Sequence, residues 1–124
     1  MLVAVSLALV SCASNAVPPA SQQVHPPWLV GTWQGTACQV DASKDQGSAN
    51  VRVTFAGDGT WTASTGATGI SWLAGDRVIL QGTYPGGANV RYTLKERQRA
   101  EDHELWGIVE ASFGAAAVSL TRLP

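Results

Sequence analysis

The patterning of residues 28–124 predicts an all-β fold, eight strands in an antiparallel up-and-down barrel. Apolar residues from Leu29 onward alternate with polar ones at a period of two, and no stripe of helical period interrupts them. Turn signals rich in Gly, Asp and Pro cut that pattern into short runs of Val, Thr, Trp and Tyr. Short connections make sequence neighbours antiparallel, and a meander of eight strands exposes two edges unless it closes on itself. A closed barrel of that size is just wide enough to be filled by side chains or to hold one small ligand.

The first strand runs from Leu29 to Ala37, followed by a polar loop through Asp41, Lys44, Asp45, Gly47 and Ser48. Asn50 to Ala56 is the clearest strand, with Val51, Val53 and Phe55 on one face and Arg52 and Thr54 on the other. Gly57-Asp58-Gly59 tolerates the positive φ angles of a tight hairpin, and Thr60 to Thr65 returns with Trp61 and Ala63 on one side. Gly69 to Leu73 is a weaker strand, and Ala74-Gly75-Asp76 turns into Arg77 to Tyr84, where Val78, Leu80 and Gly82 alternate with Ile79 and Gln81. Pro85-Gly86-Gly87 turns again, since Pro85 has no N–H for a ladder. Val90, Tyr92 and Leu94 then alternate with Arg91, Thr93 and Lys95. Glu96 to Glu104 reads as a solvated, charged loop whose first residues extend that strand. Leu105 to Ala111 and Ala115 to Arg122 complete the eight, joined at Ser112-Phe113-Gly114.

Gly31-Thr32-Trp33 at the start of the first strand resembles the Gly-x-Trp signature of the lipocalin and calycin superfamily, which includes avidin-like barrels. The resemblance implies that Trp33 plugs the closed end of a lipocalin-like barrel. It also implies that Arg122, near the end of the last strand, lies over the Trp33 ring and hydrogen-bonds the chain entering the first strand; such a cation–π pair is worth about 0.5–2 kcal/mol. Three departures bear on function. No helix follows the strands, the Thr-Asp-Tyr motif of typical lipocalins is missing, and Gln34-Gly35-Thr36 does not reproduce the polar contacts of biotin binders.

Leu9-Val10-Ser11-Cys12 closes an uncharged apolar run and resembles a bacterial lipobox, residue by residue. The resemblance implies removal of residues 1–11 as a lipoprotein signal peptide and acylation of Cys12 by fatty chains such as palmitate. Met1 to Ser11 holds no Lys or Arg where a signal peptide opens with a positive n-region. The run is also shorter than the ~20 apolar residues that span a bilayer. One acyl chain anchors only marginally at about 0.8 kcal/mol per buried methylene, so a multiply acylated cysteine is what holds a protein to a membrane. Ala13 stands where enterobacterial lipoproteins kept at the inner membrane carry aspartate. The resemblance therefore implies an envelope protein of the outer membrane, facing the periplasm. Residues 12–27, rich in Pro and without charge, read as a disordered tether between the lipid and the domain at 28–124. With lipid on Cys12, Cys38 lacks a partner and packs as a small hydrophobe at a strand end; without lipid, a Cys12–Cys38 disulfide is available.

Eight basic residues against nine acidic ones, the basic ones scattered and the Arg97–Arg99 pair surrounded by Glu96, Glu101 and Asp102, leave no electrostatic footprint for nucleic acid. His25 and His103 do not stand at metal-ligand spacing with Cys38. No serine or cysteine has an evident base; His103 reads as a solvated loop residue, and Asp58 and Asp76 as turn formers. A non-enzymatic protein without metal or cofactor is therefore expected. Recognition material is aromatic: Trp61, Trp72, Tyr92 and Trp106 all fall on strands, and pocket linings are mostly apolar with a few polar anchors. Trp106, Ile108 and Glu110 share one face, and their bulk against Leu105, Val109 and Ala111 favours that face as the inner one. Glu110 would then be the polar anchor of a pocket in the barrel mouth that binds a small apolar or amphipathic molecule. The alternative is a protein-interaction or envelope-structural module with a filled barrel. Interior volume separates the two, because Trp33, Phe55, Trp61 and Tyr92 all compete for the inside.

Overall fold

Backbone pairing closes the sheet completely. The computed structural model describes residues 24–39, 48–99, 102–112 and 114–124. Its strands are β1 (Gly31–Gln39), β2 (Ser48–Phe55), β3 (Thr60–Ala63), β4 (Thr68–Ala74), β5 (Arg77–Thr83), β6 (Asn89–Arg99), β7 (Asp102–Ala111) and β8 (Gly114–Arg122). Each is antiparallel to the next, and β8 pairs with β1 from Trp33↔Arg122 to Gln39↔Ala116, so the barrel is closed in strict up-and-down order.

Register decides what lies inside, because a slip of one residue would send every side chain to the other face. The inner rows hold Trp33, Val51, Val53, Phe55, Trp61, Val78, Leu80, Tyr92, Leu94, Leu105, Val118 and Leu120, all buried in one cluster. Trp61 meets Tyr92 edge-on with ring centroids 5.6 Å apart, the arrangement that aromatic quadrupoles prefer. Room for the Trp61 ring comes from Gly69 and Gly82, which face each other across β4 and β5. A Cβ at Gly82 would stand 1.9 Å from the Thr68 carbonyl oxygen and 2.9 Å from the Trp61 ring.

The end at which β1 begins is sealed. Trp33 is fully buried, and its indole N–H donates to the Leu29 carbonyl at 2.9 Å. Arg122 donates to the Val30 carbonyl at 2.7 Å, and among the described residues the cation–π contact is Arg97 over Trp106, not the expected Arg122 over Trp33. The Arg122 guanidinium lies against Gly31, where φ is +130° and a Cβ would come within 3.2 Å of Nε. The chain is packed here before the domain start expected at residue 28: His25 is buried, edge-on to Phe55, with its ring nitrogens on the Ala56 carbonyl and on Ser71.

Two further expectations are corrected. Glu96 to Glu104 is not a loop, since β6 and β7 pair out to Arg99↔Asp102 and only residues 100 and 101 lie between them. Opposite charges facing each other hold that extension together: Arg97 pairs with Glu104 directly across the ladder, at 2.7 Å. His103 is accordingly a strand residue, stacked on Trp28 at 5.5 Å and hydrogen-bonded to Glu96 at 2.8 Å. Cys38 is on β1 as expected, but it is exposed and free rather than packed, because odd-numbered residues of that strand take the inner face. The lipobox residues 9–12, the tether up to residue 23, the loop residues Asp41, Lys44, Asp45 and Gly47, and Phe113 lie outside the described residues.

Candidate functional site

The barrel mouth, opposite the sealed end, is nearly stopped. Tyr84 packs against the core from above, and the turn holding Gly66 touches Pro85, 2.8 Å from where a Gly66 Cβ would stand. Below them is a hollow of about 140 Å³ lined by Ala37, Tyr84, Val109, Ala111 and Ala115. Small side chains on β1, β7 and β8 create it. Its lining is apolar, and its size matches cavities that admit a single benzene ring.

The aromatic residues singled out from the sequence do not converge there. Trp61 and Tyr92 are buried in the barrel as filler. Burial, with Tyr84 nearby as a lesser cause, pushes the Tyr92 hydroxyl up to about 12, so it stays neutral at any physiological pH. Trp106, Ile108 and Glu110 point outward, with Trp106 40% and Ile108 39% exposed, while Leu105 and Val109 take the interior. Relative bulk misled because Gly107 sits on the inner row between Leu105 and Val109, where Thr93 and Leu94 crowd it. The interior there has no room for a tryptophan. Glu110 is exposed and anchors nothing inside the barrel.

Outside, these residues border a groove. Arg77, Thr93, Lys95, Trp106, Ile108 and Glu110 line a depression of about 550 Å³ across β5 to β8. Arg97 covers Trp106 with its guanidinium carbon 5.2 Å from the ring centroid. Arg97 is held there by Glu104, whose second oxygen accepts from the Ser119 hydroxyl at 3.3 Å. A rigid aromatic ring flanked by cations and a carboxylate is the composition of contact surfaces.

Trp72 is also turned outward. In the β4–β5 register Ser71 faces Leu80 on the inside, so Trp72 and its partner Ile79 face out. Yet both are only 3% exposed, and neither belongs to the core cluster. With Ile108 they form an apolar row around the outside of the barrel, since Ile79 pairs with Thr93 and Thr93 with Ile108.

His25 and Ser71 escaped the sequence reading, which placed His25 in the tether. A carbonyl cannot donate, so the nitrogen facing Ala56 carries hydrogen, and the other accepts from the Ser71 hydroxyl when the ring is neutral. A serine against an imidazole is the pairing a nucleophile uses. Ser71, however, is fully buried behind the strap that His25 itself forms, out of reach of any substrate. The pair fastens residues 24–28 to β4. Among the described residues, no three His, Cys, Asp or Glu side chains gather as a metal site would need. No protein-family model, curated protein or solved structure matches the chain at a significant level.

Proposed function

We propose that this chain is a lipid-anchored, non-enzymatic module of the bacterial envelope whose filled barrel serves as a rigid platform for protein contact. The observation that carries this reading is the interior: Trp33, Phe55, Trp61 and Tyr92 all point inward and are buried, which leaves no cup for a lipid-sized ligand. The outer groove with Trp106 as its aromatic anchor is the surface on offer. Anchoring through Cys12 rests on the lipobox resemblance and confines the platform to the membrane surface, on the periplasmic side of the outer membrane. The test is native mass spectrometry of the protein purified from its own envelope. The expected spectrum carries acyl mass on Cys12 and no retained small molecule, and a photo-crosslinker at position 106 gives one discrete protein adduct.

The hollow under Tyr84 favours one second reading, a small apolar molecule no larger than a single ring. A retained mass of that size, lost when Ala116→Leu fills the hollow, would establish it in place of the platform.

A further inference from the structure

Among the large apolar side chains exposed in the described residues, only Trp106 and Ile108 share one strand face, two residues apart on the outside of β7. Register sets a pattern of charge around them. Lys95 lies across the ladder from Trp106, with Arg77 next to it on β5; Thr93 lies across from Ile108, and Arg91 across from Glu110. Cations therefore mark one end of the groove and the Glu110 carboxylate the other, about 13 Å away along four residues of strand, with Ile108 midway. Asp76 stands 3.5 Å from Lys95 and 3.8 Å from Arg77, one carboxylate for two cations. The Lys95 end is thus left with positive charge to spare.

We infer that the outer face of β6 and β7 seats a second copy of this chain, about a two-fold axis that crosses the strands obliquely at Ile108. A contact between identical surfaces must be self-complementary, and this one is. The axis lies in the plane of contact and exchanges the two ends of the groove. Ile108 then meets Ile108 of the other copy, and Lys95 of each meets Glu110 of the other. Trp106 of each is carried toward β8 of the other, where Ala117, beside Ile108 in the ladder, is small enough to admit it. The indole is already held for the purpose. Arg97, one row beyond, lies 5.2 Å from its centroid and is itself fixed by Glu104, so little side-chain freedom is lost on contact. Two convex walls touch over few strands, which puts the contact at the small end of interface sizes and makes the dimer reversible. The inference rests on the reading of this groove as a protein-contact surface and names its partner; it does not depend on the lipid anchor.

Sedimentation equilibrium over a concentration series tests it on the full chain carrying Cys12→Ser, under reducing conditions. Neither acyl chains nor a disulfide through the exposed Cys38 then joins copies. The chain should show a reversible monomer–dimer equilibrium, and Trp106→Ala should weaken it about tenfold or more. Lys95→Glu and Glu110→Lys change exposed side chains and should leave the circular dichroism unaltered. Each alone should give monomer, because like charges then meet at both ends of the interface. Mixed in equal amounts, the two variants should associate again, since every charge faces its opposite. Monomer at every concentration overturns the inference, as does a dimer that survives both reversals or a mixture that stays monomeric. The contact-surface reading is judged separately. A photo-crosslinker at position 106 that captures a different protein while the chain stays monomeric removes the second copy and keeps the surface; monomer with no adduct removes both.

Discussion

Gly82→Ala is expected to destabilise the barrel by about 2–4 kcal/mol, although glycine in a strand is ordinarily the worse residue by roughly 0.5–1 kcal/mol. The sign reverses because of two contacts. The new methyl would stand 1.9 Å from the Thr68 carbonyl oxygen, a backbone atom with no rotamer to change, and 2.9 Å from a Trp61 ring that is itself buried against Tyr92. Relief requires β4 and β5 to separate, which breaks ladder pairing, or Trp61 to leave its slot, which breaks its N–H bond to the Ile70 carbonyl at 2.9 Å. Gly57→Ala is the control, since nothing lies within 4 Å of its Cβ and its φ is not left-handed. It should leave stability unchanged or raise it by about 0.4–1 kcal/mol. Urea denaturation followed by tryptophan fluorescence measures both. For a domain holding about 5–15 kcal/mol in total, the first loss moves the midpoint visibly. A Gly82→Ala protein as stable as the wild type would refute the β4–β5 register and the packing of Trp61 upon it.

Trp33→Ala should cost about 3–5 kcal/mol from cavity formation, with the Leu29 carbonyl left unpaired as well. Arg122→Ala should cost less, and in a thermal-melt double-mutant cycle its effect should shrink in the Trp33→Ala background, because both side chains hold the Leu29–Val30 entry; full additivity would separate them. Cys12→Ser should move the protein from the membrane fraction to the soluble one with its circular dichroism unchanged, and a folded variant that still pellets would sink the lipid anchor. Tyr92 is neutral in the folded state up to about pH 12 but titrates near 10 when unfolded. The stability it confers is therefore complete below pH 10 and lost as pH rises from 10 through 12. Tyr92→Phe should flatten that alkaline decline in a pH series of urea midpoints.

The strand count and the inner rows of β2, β3, β5 and β6 were legible because each pairs a clean alternation with a Gly- or Pro-marked turn. Val51, Val53, Phe55, Leu80 and Tyr92 fall where alternation puts them. The parity of β7 is not legible from bulk within one strand, because the deciding crowding at Gly107 comes from Thr93 and Leu94 on the neighbouring strand. Glu96 to Glu104 looked like a loop because both of its faces are polar; cross-strand charge pairing, invisible without the register, makes it a ladder. His25 was unreadable as a domain residue, since its burial depends on Ser71, a long way down the chain. The candidate site fared worst. A groove on the outside of a barrel is assembled from four strands, and no local pattern announces it.

Closure of β8 onto β1 also sets the timetable of folding. The ladder from Trp33↔Arg122 to Gln39↔Ala116 joins the two ends of the sheet, so the longest loop in the molecule must be closed before either strand is fully paired. Contacts that distant slow folding and leave sticky edges open meanwhile. Until Gly114–Arg122 arrives, β1 and β7 each present an unpaired border. Because synthesis proceeds from the amino end, closure waits until the last strand has been made. That interval is when the polypeptide is most open to proteases and self-association.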